Sequence, residues 1–192
     1  MTPALFDLDG TITTRDTLLD FARFAGGGRE FLKGMIKLSP KLVLYRLNLY
    51  RNDRMKESFL THFFGGMDES EFKAKAKEYA LTRMKEITRS DKRALLDSHK
   101  AANDRVVVVS ASAEDWVAPW CLSEGIEFIT TRLEKRDGKV TGRLATPNCY
   151  GPEKLRRVKS YLNLSKYDKV YVYGNSRGDR EMESLRTANL DG

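Results

Sequence analysis

The sequence predicts an α/β fold, a Rossmann-like parallel sheet core with an inserted helical cap. Three observations predict it. Short β-rich runs ending in polar residues occur at three places along the chain. Helical spacing of apolar residues fills the intervals between them. Between the first run and the second, from Ile12 to about Arg89, there is helix after helix and no strand.

The elements follow in order. Residues 3–8, Pro-Ala-Leu-Phe-Asp-Leu, read as a short buried strand that ends in acidic residues and a Gly-Thr turn. A crossover to the next parallel strand needs only about a dozen residues. The long helical interval is therefore an insertion. The expected division is a core of residues 1–15 and 90–192 and a helical cap of residues 16–89. Gly26-Gly27-Gly28 reads as a loop between cap helices. Residues 70–88 place Phe72, Ala76, Tyr79, Ala80, Met84 and Ile87 at helical spacing, and residues 91–102 read as the next helix. Val106 to Val109 are four consecutive valines, the pattern of a parallel strand covered on both faces. Residues 114–124 form a helix with Pro119 as a kink point, and Trp116 and Trp120, four apart, read as core. Residues 127–144 read as a hairpin turning at Asp137-Gly138. Pro152 sits at the first position of a helix, residues 169–173 form the last strand, and residues 179–189 a final helix.

Composition narrows the function classes. The chain has 192 residues, 41% hydrophobic and 32% charged, ordinary for a globular protein. No apolar run approaches the roughly 20 residues that span a bilayer. The N-terminal apolar stretch is short and contains Asp7 and Asp9, unlike a signal peptide. Cys121 and Cys149 make no disulfide framework, and with His62 and His99 they make a poor zinc set. A cytoplasmic, reducing setting is expected. The formal net charge is +7, but the basic residues are scattered, which argues against nucleic acid. Leu42 to Tyr50 is apolar around most of its circumference and is flanked by Lys37, Lys41, Arg46 and Arg51. Cap core or a dimer contact is the favoured reading of that stretch, with a lipid-facing surface as the alternative. The sequence sets no oligomeric state.

The chemistry lies at the strand ends, where open parallel sheets bind ligands. The first end presents Asp7, Asp9, Gly10 and Thr11, the second Ser110 and Ser112, and the third Gly174, Asn175, Ser176, Gly178 and Asp179. Lys154 opens the helix between the last two. Two neighbouring carboxylates resist ionising together unless a cation is present, and a hard dication such as magnesium suits oxygen ligands. One carboxylate can attack phosphorus while the other moves a proton. Ser110 can donate to a phosphate oxygen, Lys154 can place a charge on it, and Gly10 and Thr11 let main-chain N–H groups approach.

Phe6-Asp7-Leu8-Asp9-Gly10-Thr11 resembles the first motif of the haloacid dehalogenase superfamily. Val109-Ser110, Lys154 after Gly151-Pro152-Glu153, and Tyr173-Gly174-Asn175-Ser176-Arg177-Gly178-Asp179 resemble the second, third and fourth motifs. The motifs span nearly the whole chain, and the first is the specific one. The helical insertion and the last motif are similar to subfamily IB, the phosphoserine-phosphatase-like branch, which includes phosphatidylglycerophosphate phosphatases. The resemblance implies a magnesium-dependent phosphomonoester phosphatase that forms an aspartyl-phosphate. Its substrate would be a small phosphorylated metabolite such as phosphoserine. A lipid-phosphate phosphatase, a phosphotransferase and a non-catalytic phospho-ligand binding module are the alternatives. Asp7 would be nucleophile and metal ligand, and Asp9 the acid/base with its main-chain carbonyl on the metal. Ser110, Ala111 and Lys154 would hold the phosphoryl group, with Gly10 and Thr11. Asn175 and Asp179 would complete the Mg2+ site. Asn175 departs from the family pattern, which has Asp there; its carbonyl can ligate but adds no charge. Asp16 resembles a substrate-contacting acidic position.

Overall fold

The computed structural model describes residues 1–187. A parallel sheet of four strands forms its centre, in the order β3-β2-β1-β6. The strands are β1 (Pro3–Phe6), β2 (Arg105–Ala113), β3 (Glu127–Thr131) and β6 (Tyr171–Tyr173). The chain steps outward from β1 through β2 to β3, then returns to place β6 on the other side of β1. The strand order therefore reverses beside β1, and a crevice opens there at the carboxyl ends of the strands.

Residue alternation explains why both faces are covered. Ala4, Phe6, Val106 and Val108 point into one hydrophobic cluster, and Leu5, Val107 and Val109 into the other. The second cluster is closed by α7 (Pro152–Tyr161) through Val158 and by α8 (Arg180–Glu183) through Met182. The first is closed by α5 (Ser90–Ala101) through Leu96 and by α6 (Glu114–Glu124) through Trp116, Val117 and Trp120. Both tryptophans are fully buried, as their spacing predicts. His99, also buried, bonds Asp104 through Nδ1 (2.8 Å) and the Tyr173 hydroxyl through Nε2 (2.9 Å), a structural role.

Between β1 and α5 lie α1 (Thr17–Arg46), α2 (Asn52–Phe64), α3 (Glu69–Leu81) and α4 (Arg83–Ile87). A narrow neck joins the two ends of this insertion: Thr14 N–H donates to the Ile87 carbonyl (2.8 Å) and Arg89 N–H to the Ile12 carbonyl (2.9 Å). The insertion shares its core with one sheet face, since Phe21 packs on Phe64 (5.1 Å between ring centres) and on Trp116 (4.9 Å). α1 breaks at Gly27 (φ 78°), inside the glycine cluster that predicts a loop; Gly26 and Gly28 stay helical. Pro40 cannot donate to the Ile36 carbonyl, and the Ser39 hydroxyl does so instead (2.7 Å).

Several elements differ from the sequence expectation. The predicted hairpin 127–144 contains a core strand: Glu127–Thr131 pairs in parallel with β2. Only β4 (Leu133–Arg136) and β5 (Lys139–Leu144) form the hairpin, turning at Asp137-Gly138 as expected. Alternating burial cannot distinguish an antiparallel arm from a short edge strand, so the sequence left these merged. The helix expected over 70–88 divides at Thr82, whose ψ of −76° interrupts it. The final helix ends at Glu183, and residues 188 and 189 of the expected span lie outside the described residues. In the stretch Leu42 to Tyr50 the side chains of Val43, Leu44, Leu47 and Leu49 are exposed, which departs from the cap-core half of the expectation and leaves a dimer contact or a lipid-facing surface as its reading.

Candidate active site

The crevice beside β1 opens into a cavity of about 350 Å³ lined by Asp7, Asp9, Asp16, Lys56, Ala111, Ser112, Lys154 and Ser176. Its outer wall comes from the insertion and the loop before α7: Leu18, Leu19, Leu42, Tyr45, Asn52, Met55, Phe59 and Tyr150.

Asp7 is the first residue past β1, and its N–H completes the sheet by donating to the Tyr173 carbonyl (2.8 Å). Its carboxylate is buried. Lys154 Nζ donates to Asp7 Oδ1 and to Asp179 Oδ1, each at 2.5 Å. Thr11 Oγ1 lies 3.3 Å from Asp7 Oδ2, a long bond. Lys154 is delivered by α7, where Gly151 (φ 59°) and Pro152 start the helix and the Gly151 N–H donates to the Gly178 carbonyl (2.9 Å). Asp179 closes the turn after β6, with Oδ2 accepting from the N–H (2.9 Å) and the hydroxyl (2.6 Å) of Ser176. That turn needs Gly174: a Cβ there would fall 2.6 Å from Asp179 Cβ.

One ammonium shared by two buried carboxylates leaves negative charge undercompensated. Burial pushes the Asp7 carboxyl up to about 6, against the pull of Lys154 and with the push of Asp179 and Asp9. Burial works against the Lys154 ammonium as well, yet Asp7 and Asp179 hold it above the ordinary lysine range. For Asp179, burial is outweighed by Lys154 and Ser176, which hold it below the usual carboxylate range.

Asp9 faces the same cavity but bonds elsewhere. Its Oδ1 accepts from the Thr17 N–H (2.6 Å) at the start of α1, and its Oδ2 from the Ser112 hydroxyl (2.6 Å). Asp16 caps α1, accepting from the N–H groups of Leu18 (3.0 Å) and Leu19 (3.1 Å), and its side chain borders the cavity.

The remaining predicted positions divide. Ser110 is fully buried below the cavity, where its Oγ accepts from the Ser112 N–H (2.9 Å) and lies 3.4 Å from Asp9 Oδ2. Ser112 and Ala111 line the cavity in front of it. Gly10 (φ 78°) and Thr11 form the turn beneath Asp7. Asn175 ties that turn down: its Nδ2 donates to the Gly10 carbonyl (2.7 Å), and Thr11 Oγ1 lies 3.2 Å from its Oδ1. Asp179 meets the site through Lys154 and Asn175 through the Gly10–Thr11 turn, and neither lines the cavity.

Lys56 is the residue that sequence reasoning missed. It extends from α2 to the Ala111 carbonyl (2.5 Å) and to Asn148 Oδ1 (3.0 Å). Burial lowers its pKa to about 8, although Asp9 and Asp16 favour the charged form. The signal was present: Lys56 stands between Met55 and Phe59 on the buried stripe of an amphipathic helix, where a charge is out of place.

Lys154 Nζ aside, the side-chain polar atoms gathered near Asp7 are oxygens. The Asp7 and Asp179 carboxylates, the Asn175 amide oxygen and the undercompensated charge fit a hard dication. Asp9 can add its main-chain carbonyl only, because its carboxylate turns toward Thr17 and Ser112. Among the described residues no three His, Cys, Asp or Glu side chains converge as a ready metal cluster.

The sequence profile of the haloacid dehalogenase-like hydrolases matches residues 4–183. A probable phosphatase of Mycobacterium tuberculosis is 29% identical over 94% of this chain, which spans 65% of that protein. A Bordetella pertussis protein of unknown function superposes with a TM-score of 0.85 at 24% identity, covering 97% of this chain and 88% of that one. A substrate-bound phosphoserine phosphatase superposes with a TM-score of 0.67 at 17% identity, covering 96% and 82%. At those identities the two structures show the shared fold.

Proposed function

This chain belongs to the haloacid dehalogenase-like hydrolases, and we propose that it is a magnesium-dependent phosphomonoester phosphatase with Asp7 as nucleophile. The observation that carries the reading is Lys154 bridging Asp7 and Asp179 at the floor of a cavity that also presents Asp9. The core is assigned to residues 1–15 and 90–192, and the cap to residues 16–89.

Asp7 Oδ2, held only by the long bond from Thr11, is the oxygen that attacks phosphorus. As the Oδ–P bond forms, the bond from phosphorus to the alcohol oxygen breaks. Asp9 gives its proton to that oxygen and the alcohol leaves. Asp9 then takes a proton from water, the water oxygen bonds to phosphorus, and the Asp7–phosphorus bond breaks to release inorganic phosphate. Lys154 places its charge on the phosphoryl group, and Ser112 and the Ala111 main chain border it. Ser110 acts from below by holding the Ser112 N–H. Asp7, Asn175, Asp179 and the Asp9 carbonyl would hold magnesium, which supplies positive charge to the phosphoryl oxygens when bound. The insertion meets the candidate acid/base directly, because the first N–H of α1 is bonded to Asp9 itself.

The apolar outer wall favours a leaving alcohol with hydrocarbon surface over the charged head of phosphoserine. Among the described residues the one basic side chain on the insertion's side of the cavity, Lys56, is engaged by Ala111 and Asn148.

Turnover of p-nitrophenyl phosphate with magnesium tests the reaction. Asp7→Asn is expected to abolish it, with an unchanged circular dichroism spectrum. Full activity in folded Asp7→Asn protein overturns the mechanism.

A further inference from the structure

The outer half of α1 is apolar on the side that faces away from the protein. Leu32 (61% exposed), Ile36 (65%) and Val43 (58%) fall within about 40° of one another around the helix. Leu47 (61%) and Leu49 (72%) continue the strip past its end. The opposite side of the helix is already used. Leu38 is buried there, and Gly34 lies so near α2 that a Cβ would fall 2.4 Å from the Phe63 ring. The exposed side chains are thus left over after the helix has packed, and they form one contiguous strip.

Charge states what covers the strip. Between Gly28 and Arg51 the sequence carries Arg29, Lys33, Lys37, Lys41, Arg46 and Arg51 against the single carboxylate of Glu30. Glu30 is paired with Lys33 (2.7 Å), while Arg29, Lys37 and Arg46 make no ion pair among the described residues. Apolar side chains flanked by unpaired cations match an anionic lipid surface, with the hydrocarbon below and the phosphates beside the lysines and arginines. A second copy of this chain would bring the same positive charge to the contact. Among the described residues no helix is long and apolar enough to cross a membrane.

The same helix builds the mouth of the cavity. Leu42 and Tyr45, on its inward side, line the opening above Asp7, together with Leu19. We propose that α1 docks this protein on an anionic membrane and that its substrate is a lipid phosphomonoester drawn from that surface. The proposal rests on the phosphatase reading for the substrate, and on the exposed strip alone for the docking.

Co-sedimentation with vesicles separates the two. Vesicles of phosphatidylcholine alone and of phosphatidylcholine with phosphatidylglycerol are compared, with the double variant Ile36→Glu/Val43→Glu, which lies outside the cavity. The expected result is binding to the anionic vesicles, weakened by salt and reduced about tenfold or more in the double variant. Turnover of soluble p-nitrophenyl phosphate should stay within about twofold, since neither residue meets the site. Phosphatidic acid in anionic vesicles should be hydrolysed by the wild type and far more slowly by the variant. Failure to bind anionic vesicles overturns the docking. So does a wild-type dimer in sedimentation velocity that the variant converts to monomer. Vesicle binding without turnover of any phosphomonoester instead overturns the phosphatase reading and leaves the docking standing.

Discussion

Asp7 and Lys56 are two cavity side chains whose protonation burial displaces, in opposite senses. Asp7 has its carboxyl raised to about 6 from an ordinary 3.8, chiefly by burial. A folded state that binds this proton more tightly than the unfolded state is favoured by acid. The contribution is fully present below 3.8 and is lost as pH rises through about 6. In metal-free protein the melting temperature should therefore fall between about pH 4 and about 6. Asp7→Asn should remove that part of the slope, and an unchanged slope in the variant, read by calorimetry, would reject the assignment. Lys56 behaves in the opposite sense. Its ammonium, with pKa lowered to about 8 by burial, is lost from the cavity as pH rises through that value. Losing one cation at a partly open site costs about 1 kcal/mol, roughly fivefold in KM for a phosphate monoester. A KM that rises above pH 8 in the wild type and stays flat in Lys56→Met is the expected outcome.

At the scale of elements, the β4–β5 hairpin braces the insertion although it is distant from it in sequence. The Gly66 N–H donates to the Val140 carbonyl (2.8 Å), the Val140 N–H to the Met67 carbonyl (2.9 Å), and the Glu69 N–H to the Gly138 carbonyl (2.8 Å). Gly142 is the closest approach, with φ 83° and a hypothetical Cβ only 2.3 Å from Thr61 Cα. Gly142→Ala meets a left-handed backbone and a main-chain clash together. It should cost roughly 2–4 kcal/mol, read as a lower denaturant midpoint. Because α2 carries Lys56, Met55 and Phe59 into the cavity, the variant should also raise KM more than it lowers kcat.

For the molecule as a whole, the Asp9–Thr17 hydrogen bond is where the insertion meets the candidate acid/base. Ligand held between Asp7 and Lys154 adds contacts to both sides of the cavity, so it should close the insertion onto the sheet. Hydrogen exchange with magnesium and orthovanadate should slow in residues 16–24 and 52–59 by more than in β1 and β2. Protection confined to the sheet would remove the cap role assigned to the insertion.

The sequence by itself determined the candidate site residues and their order along the chain. Asp7, Asp9, Lys154 and Asp179 were legible because each sits at a strand end or helix start whose apolar or proline signal is strong. The four valines announced a strand covered on both faces, and the missing strands between Ile12 and Arg89 announced the insertion. Only the tertiary structure decided that Glu127–Thr131 is a core strand, that Ser112 rather than Ser110 faces the cavity, and that Lys56 arrives from α2. It also decided that Ile36 and Val43 face outward. Periodicity marks which residues share a face, because the repeat of a helix or strand is local. Which partner covers that face depends on contacts between residues far apart in the chain, and among the described residues one face of α1 is left without one.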